Sequence, residues 1–175
     1  MNKYLAKENV IGLTTVISVQ AVIWVIAPLL GKYIDSFYVH YPHVLAASTF
    51  VIILGVCVIL LGALLGAWTV VLFKVKGKGT PSPGSPPKEF IVTGPYKFSR
   101  NPMVMAGLLI MIGESIFYYS PSTFGLAILF IVVLYLYIRH VEEPELKERF
   151  GQPYNDYLKN VPRFIPKLLP DIWWW

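Results

Sequence analysis

Charge is what this sequence has least of. Only 14% of its residues are Asp, Glu, Lys or Arg, against about 25% in soluble domains. Hydrophobic residues make up 55%, and mean hydropathy is +0.58. So few charges cannot cover the surface of a water-soluble domain, and lipid must be the solvent for much of the chain. Cysteine occurs once, as Cys57, which excludes a disulfide framework; inside an apolar run it reads as a small buried hydrophobe. The histidines, His40, His43 and His140, are scattered, so no metal is expected. The net charge of +5 would suit nucleic acid if the basic residues formed a stripe on a soluble face. They flank apolar runs instead, which implies membrane headgroups and no nucleic-acid partner.

What is present is a series of long apolar runs. Ile11 to Ile34 and Val44 to Phe73 each exceed the roughly 20 residues needed to cross a bilayer. The first is too long for the apolar core of a cleaved leader, so a retained span is expected. In the second, Gly62 and Gly66 with Ala63 and Ala67 form a small-xxx-small pattern that lets two helix backbones approach. Lys74 to Glu89 is rich in proline and glycine and is expected as a flexible loop. Met103 to Tyr119 and Phe124 to Ile138 are two further apolar runs, separated by Ser120 to Thr123, and are expected as a helical hairpin. Val141 to Asn160 is charged, with Leu146, Phe150, Tyr154 and Tyr157 at helical spacing, and is expected as an amphipathic helix. The tail, ending Trp173 to Trp175, has the composition of a headgroup-level segment.

The fold class implied is an all-α integral membrane protein with about four transmembrane helices and a cytoplasmic C-terminal amphipathic helix. It divides into residues 1–73 (two spans), 74–89 (loop) and 90–175 (helical hairpin, C-terminal helix and tail). With four spans, fourteen of the fifteen Lys and Arg residues fall on one face and only Lys32 on the other. The positive-inside rule assigns the crowded face to the cytoplasm. The two opposite loops, Asp35 to His43 and Ser120 to Thr123, are too short to build a pocket.

Chemistry is therefore expected on the cytoplasmic side, in Gly94 to Met103 and Arg139 to Glu145. The hairpin brings these two segments to one membrane surface. Arg100 and Arg139 offer guanidinium forks for carboxylate or phosphate; Glu142 and Glu143 offer acceptors for hydroxyls or a cationic centre. Asn101 offers a donor and an acceptor, and Tyr96 an aromatic face with a hydroxyl. The set suits a zwitterionic, partly aromatic small molecule better than a metal. Glu114 lies roughly 18 Å along the third run; an intramembrane carboxylate is a functional candidate by default, but no cationic partner occurs at that depth, and a structural role is the expectation.

An ordered set of motifs spans residues 88 to 166: Ile91-Val92-Thr93-Gly94-Pro95-Tyr96, then Arg100-Asn101-Pro102-Met103-Val104-Met105-Ala106-Gly107, then Glu142-Glu143. Phe150-Gly151-Gln152-Pro153-Tyr154-Asn155-Asp156-Tyr157 and Val161-Pro162-Arg163-Phe164-Ile165-Pro166 follow. The set resembles the isoprenylcysteine carboxyl methyltransferase and phospholipid methyltransferase superfamily of membrane enzymes. The resemblance implies S-adenosylmethionine as cofactor, with Lys88, Glu89, Phe90, Ile91, Tyr96, Arg100, Asn101, Pro102, Met103 and Glu143 as its binding residues. It implies that Arg139 orients the methyl acceptor. A carboxylate acceptor is already nucleophilic, whereas an amine or thiol must lose a proton, for which Glu142 is a candidate, as is Glu143. Asn101 stands where the pattern has histidine, and Val104 where it has tyrosine.

The function expected is thus an integral membrane S-adenosylmethionine-dependent methyltransferase. Its acceptor would be a prenylcysteine carboxylate, a lipid headgroup amine or a thiol, and its site would face the cytoplasm from a multi-pass chain in the cell membrane. Two alternatives stand beside it: an NADPH-dependent membrane reductase of the sterol reductase type, and a non-catalytic membrane binding module.

Overall fold

The computed structural model describes residues 18, 21–38, 48–79 and 87–166. Among them the regular structure is helical, with no strand. Helix α1 (Ala27–Tyr38) follows a π-turn at Val22–Ile26, and α2 is Thr49–Val75. A 3-10 turn, Gly94–Lys97, precedes α3 (Pro102–Phe117) and α4 (Pro121–Tyr137). A second π-turn, Ile138–Glu142, carries α4 directly into α5 (Glu143–Phe150), and α6 is Gln152–Asn160.

Both π-turns share a local cause. Each ends two residues before a proline, Pro28 in one case and Pro144 in the other. Proline has no N–H for the carbonyl one turn back, and its ring crowds that carbonyl. The helix absorbs the defect by widening. The Ala27 amide bonds the Val22 carbonyl and the Glu143 amide the Ile138 carbonyl, each five residues back instead of four. The second widened turn holds Arg139 and Glu142, and widened turns of this kind recur at functional sites.

Glycine sets the packing. A Cβ on Gly62 would stand 2.8 Å from the Ala106 carbonyl oxygen, one on Gly55 2.7 Å from the Phe117 amide, and one on Gly113 2.7 Å from the Ile59 amide. Helices α2 and α3 therefore run antiparallel with their backbones in contact. A Cβ on Gly31 would overlap the Thr123 hydroxyl, which ties α1 to the start of α4, while Ile23 reaches the level of Gly107 and Phe130. So α1 and α3 run one way, α2 and α4 the other. Ile23, Ala27, Ile110, Met111 and Ala127 form the buried core between α1, α3 and α4.

Two helices are long and apolar enough to cross a membrane, Thr49–Val75 and the continuous Pro121–Phe150. At 27 residues, α2 is about 40 Å long, more than the roughly 30 Å hydrocarbon layer. Leu60, Leu61, Leu64 and Val71 on α2 and Ile128, Leu129, Val132 and Val133 on α4 face outward, exposed, as a lipid environment requires. Cys57, expected to be buried, lies on this outer face of α2. The shorter α3 is apolar over 16 residues.

Several boundaries differ from the sequence reading. Helix α2 runs through Val75, so the loop starts later than residue 74. The α3–α4 connection is Tyr118 to Ser120 and not Ser120 to Thr123: Pro121 opens α4 at its first position, and the Ser120 Oγ caps it by accepting the Thr123 amide. Asp35, expected in a loop, sits in α1, 1% exposed. Its Oδ2 accepts a hydrogen bond from Ser120 Oγ at 2.5 Å and its Oδ1 one from the Ser122 amide at 3.1 Å. The stretch expected as one amphipathic helix is two, broken at Gly151, whose φ of +60° favours glycine. Helix α6 buries Tyr154 and Tyr157, and with Leu146 and Phe150 of α5 they pack against Phe90 and Val92. The start of the first apolar run, His40 and His43, residues 80–86 and the tryptophan tail lie outside the described residues.

Candidate functional site

Three separate pieces of chain meet on the side where α3 begins and α4 ends. The first is the Ser99–Arg100–Asn101 bend before α3, the second the π-turn with Glu143, and the third the extended segment Val161 to Pro166 after α6. Backbone contacts join the first and third: the Arg100 amide donates to the Pro162 carbonyl at 2.9 Å. The Arg163 carbonyl accepts from Ser99 Oγ and from Asn101 Nδ2, each at 3.1 Å. Tyr157 locks the base of the bend, its hydroxyl donating to the Tyr96 carbonyl at 2.7 Å.

Glu143 is the centre of this junction, 7% exposed. Its Oε1 accepts from Arg100 Nη1 at 2.6 Å and from Arg163 Nε at 2.9 Å; its Oε2 accepts from Arg163 Nη2 at 2.9 Å. Burial alone would raise the Glu143 carboxyl, but the Arg163 hydrogen bonds and the charges of Arg100, Arg163 and Lys147 outweigh it and hold the group below its usual range. The Arg163 guanidinium lies over the Tyr135 ring, 4.9 Å from its centre, and Arg139 Nη1 donates to the Tyr135 hydroxyl at 3.2 Å. Glu142 is half-buried; burial and the charges of Glu143 and Glu145 push its carboxyl up. Burial and the Glu142 charge raise the Tyr96 phenol, and burial, with Glu143 nearby, pushes Tyr154 up to about 12. Arg100 Nε is buried with no hydrogen-bond partner among the described residues.

The junction brings together Arg100, Asn101 and Glu143, and sets Tyr96 and Glu142 beside them. Arg139 stands at the exposed rim, linked through Tyr135. Ile91 and Pro102 are buried, Phe90 and Met103 half-buried. Phe90 is a packing residue, its ring 5.1 Å from that of Tyr157 and 5.3 Å from that of Phe150. Lys88 and Glu89 have exposed side chains, and Glu89 pairs with Lys78 just beyond the end of α2; their backbone amides both donate to the Gly77 carbonyl. Among the described residues no three His, Cys, Asp or Glu side chains are grouped to hold a metal. Arg163 is the residue that sequence reasoning does not single out. It appears there as one basic residue in a closing motif, and its partners are supplied by tertiary contact alone. Next to the bend, a wholly apolar groove of about 140 Å³ is bounded by Leu65, Trp68, Pro95, Phe98, Met105 and Pro166, with Ser99 and Pro102 at its wall.

A family model for phospholipid methyltransferases matches residues 50–153, more than half of the chain. The chain belongs to the phospholipid methyltransferase family. That family is part of the isoprenylcysteine and phospholipid methyltransferase membrane superfamily, in agreement with the motifs. Membership points to a membrane methyltransferase and lends no support to the reductase or the non-catalytic module. Curated proteins and solved structures give no match. The matched stretch takes in Arg100, Arg139, Glu142 and Glu143 and stops before Arg163.

Proposed function

We propose that the chain is a multi-pass methyltransferase that uses S-adenosylmethionine and acts on a lipophilic acceptor at the cytoplasmic face. Supporting four spans are the alternating directions of α1 to α4 and the separation of fourteen basic residues from Lys32 that this topology produces.

The observation that carries the cofactor assignment is the pairing of an orphaned donor with acceptors. Among the described residues Arg100 Nε is buried and unpartnered, while Glu143 Oε2 accepts a single hydrogen bond and Glu142 stands next to it. A buried donor without an acceptor costs about 1–3 kcal/mol, and a ligand carboxylate would relieve that cost here. A ligand ammonium would find the carboxylates. The amino-acid end of S-adenosylmethionine carries both groups, so the residues fit it. In this reading Arg100, Glu143 and Asn101 hold that end, and Tyr96, Ile91, Pro102 and Met103 line the less polar part of the site.

When bound, S-adenosylmethionine supplies a methyl group activated by a sulfonium, ready for in-line displacement. The protein's contribution is placement. Arg139, exposed at the rim, directs an anionic acceptor group. Glu142, whose carboxyl is raised by burial and its acidic neighbours, accepts the proton that an amine or thiol must release; a carboxylate acceptor would not need it. The apolar groove beside Ser99 offers a place for an acceptor's hydrocarbon portion.

Calorimetry on the purified protein in detergent tests the reading. Micromolar binding of S-adenosylhomocysteine, with none of NADPH, is expected. Absence of that binding would overturn it.

A further inference from the structure

We infer that Arg163, which lies beyond the family-matched stretch, is a positioning residue for ligand binding: it braces Glu143 so that one lone pair of Oε2 and the Arg100 Nε remain available to a ligand. The inference rests on the cofactor reading above.

The geometry is that of a fixed strut. The guanidinium grips Glu143 with two parallel bonds, Nε to Oε1 and Nη2 to Oε2, both 2.9 Å. Two-pronged contacts of this kind fix orientation as well as adding strength. The same guanidinium lies over the Tyr135 ring, 4.9 Å from its centre. At its other end the Arg163 backbone is fastened to the loop that carries Arg100, through Ser99 Oγ and Asn101 Nδ2, and the neighbouring Pro162 carbonyl receives the Arg100 amide. Arg100, Glu143 and Arg163 thus close a ring in which each member is set by the other two. A side chain that swung aside to admit a ligand would have to leave the carboxylate and the aromatic ring together while its backbone stayed tied. This arrangement is a brace and not a gate.

The brace also apportions hydrogen bonds. Among the described residues, Oε1 is filled by Arg100 and Arg163, and Oε2 has one donor. A carboxylate has about four lone-pair sites, so Glu143 retains a single site for one cationic donor, and its direction is fixed. Arg100 commits Nη1 to Glu143 and also faces the Tyr154 hydroxyl, while its Nε has no hydrogen-bond partner among the described residues. Asn101 gains a role from the same geometry. Its amide holds the Arg163 carbonyl, a task that needs a donor and no titratable group.

The test compares the full-length protein with Arg163→Lys and Asn101→Ala, measuring affinity for S-adenosylhomocysteine by calorimetry and thermal midpoints in the same detergent. Arg163→Lys keeps the charge but loses the fork. It is expected to stay folded and to bind about ten- to a hundredfold more weakly, with the KM for S-adenosylmethionine rising in parallel and kcat little changed. Asn101→Ala should move the same quantities in the same direction, about three- to tenfold. A lowered midpoint with wild-type affinity would make Arg163 a purely structural tie and overturn the inference. Tighter binding by Arg163→Lys would make it a competitor for Glu143 and overturn it too. Failure of the wild-type protein to bind overturns the cofactor reading, and this role with it; wild-type binding with unchanged variants overturns this role alone.

Discussion

Asp35 holds the beginning of α4 from a neighbouring helix, its Oδ2 2.5 Å from Ser120 Oγ and its Oδ1 3.1 Å from the Ser122 amide nitrogen. A carboxylate at a helix N-terminus meets unpaired amides and the positive end of the helix dipole, and this one is fully buried. Asp35→Ala leaves both donors without their acceptor and is expected to cost about 2–3 kcal/mol. Asp35→Asn, which keeps one acceptor oxygen, should cost about half as much. Thermal unfolding in detergent measures both, and equal midpoints for Asp35→Ala and wild type would show that the contact contributes nothing.

The two glycines of the small-xxx-small pattern are unequal. A Cβ on Gly62 would meet the Ala106 carbonyl oxygen at 2.8 Å, a backbone atom that cannot step aside, whereas one on Gly66 would meet the Ala106 methyl at an ordinary 3.5 Å. Gly62→Ala is expected to push α2 from α3 and cost about 1–3 kcal/mol. Gly66→Ala should change stability by less than about 0.5 kcal/mol. Midpoints of the two single variants, measured side by side, decide the matter; equal losses would refute the asymmetry.

That contrast marks how far sequence reasoning reaches. Spacing finds Gly62 and Gly66 as a pair because helical period places them on one face, but only the partner helix makes one tight and the other loose. The hairpin of α3 and α4 is legible from two apolar runs and a proline, and with it the meeting of Arg100 and Glu143. The residues that fasten this meeting are not. Arg163 and Tyr157 act through bonds to the carbonyl-bearing backbone and to a carboxylate distant in sequence, and no local pattern encodes those. Asp35 is missed for a different reason. A charged residue near the end of an apolar run resembles a loop boundary, and its burial depends on the serines of another helix. The break at Gly151 is signalled by that glycine and by Pro153 in the first turn of the next helix, which amphipathic periodicity on both sides conceals.

Acid should weaken the junction through Glu143. Its carboxyl is held below the ordinary value of 4.5, burial being outweighed by the Arg163 hydrogen bonds and the arginine charges. A depressed folded-state value means that the stabilisation is complete above the unfolded value and is lost as pH falls through the folded one. Wild-type thermal midpoints are therefore expected to fall as pH drops below about 4.5. Glu143→Gln leaves two arginines facing a neutral amide, should cost about 3–5 kcal/mol at neutral pH, and should flatten this acid limb. An acid limb as steep in Glu143→Gln as in wild type would assign it to other carboxyls.

Glu114 sets stability against function at the opposite end of α3. It is 5% exposed, and its Oε2 has no hydrogen-bond partner among the described residues. Twelve residues separate it from Pro102 at the head of the helix, roughly 18 Å along the axis, so it cannot touch a ligand held by Arg100 and Glu143. An unsatisfied buried oxygen costs about 1–3 kcal/mol, and Met fills a similar volume without it. Glu114→Met is accordingly expected to raise the thermal midpoint, by the equivalent of about 1–2 kcal/mol, and to leave S-adenosylhomocysteine affinity and turnover unchanged. Glu114→Gln, which still buries polar atoms, should gain little. The discriminating result is turnover in Glu114→Met: if it is lost while the midpoint is maintained, the carboxylate works in the reaction cycle, and a purely structural account of it fails.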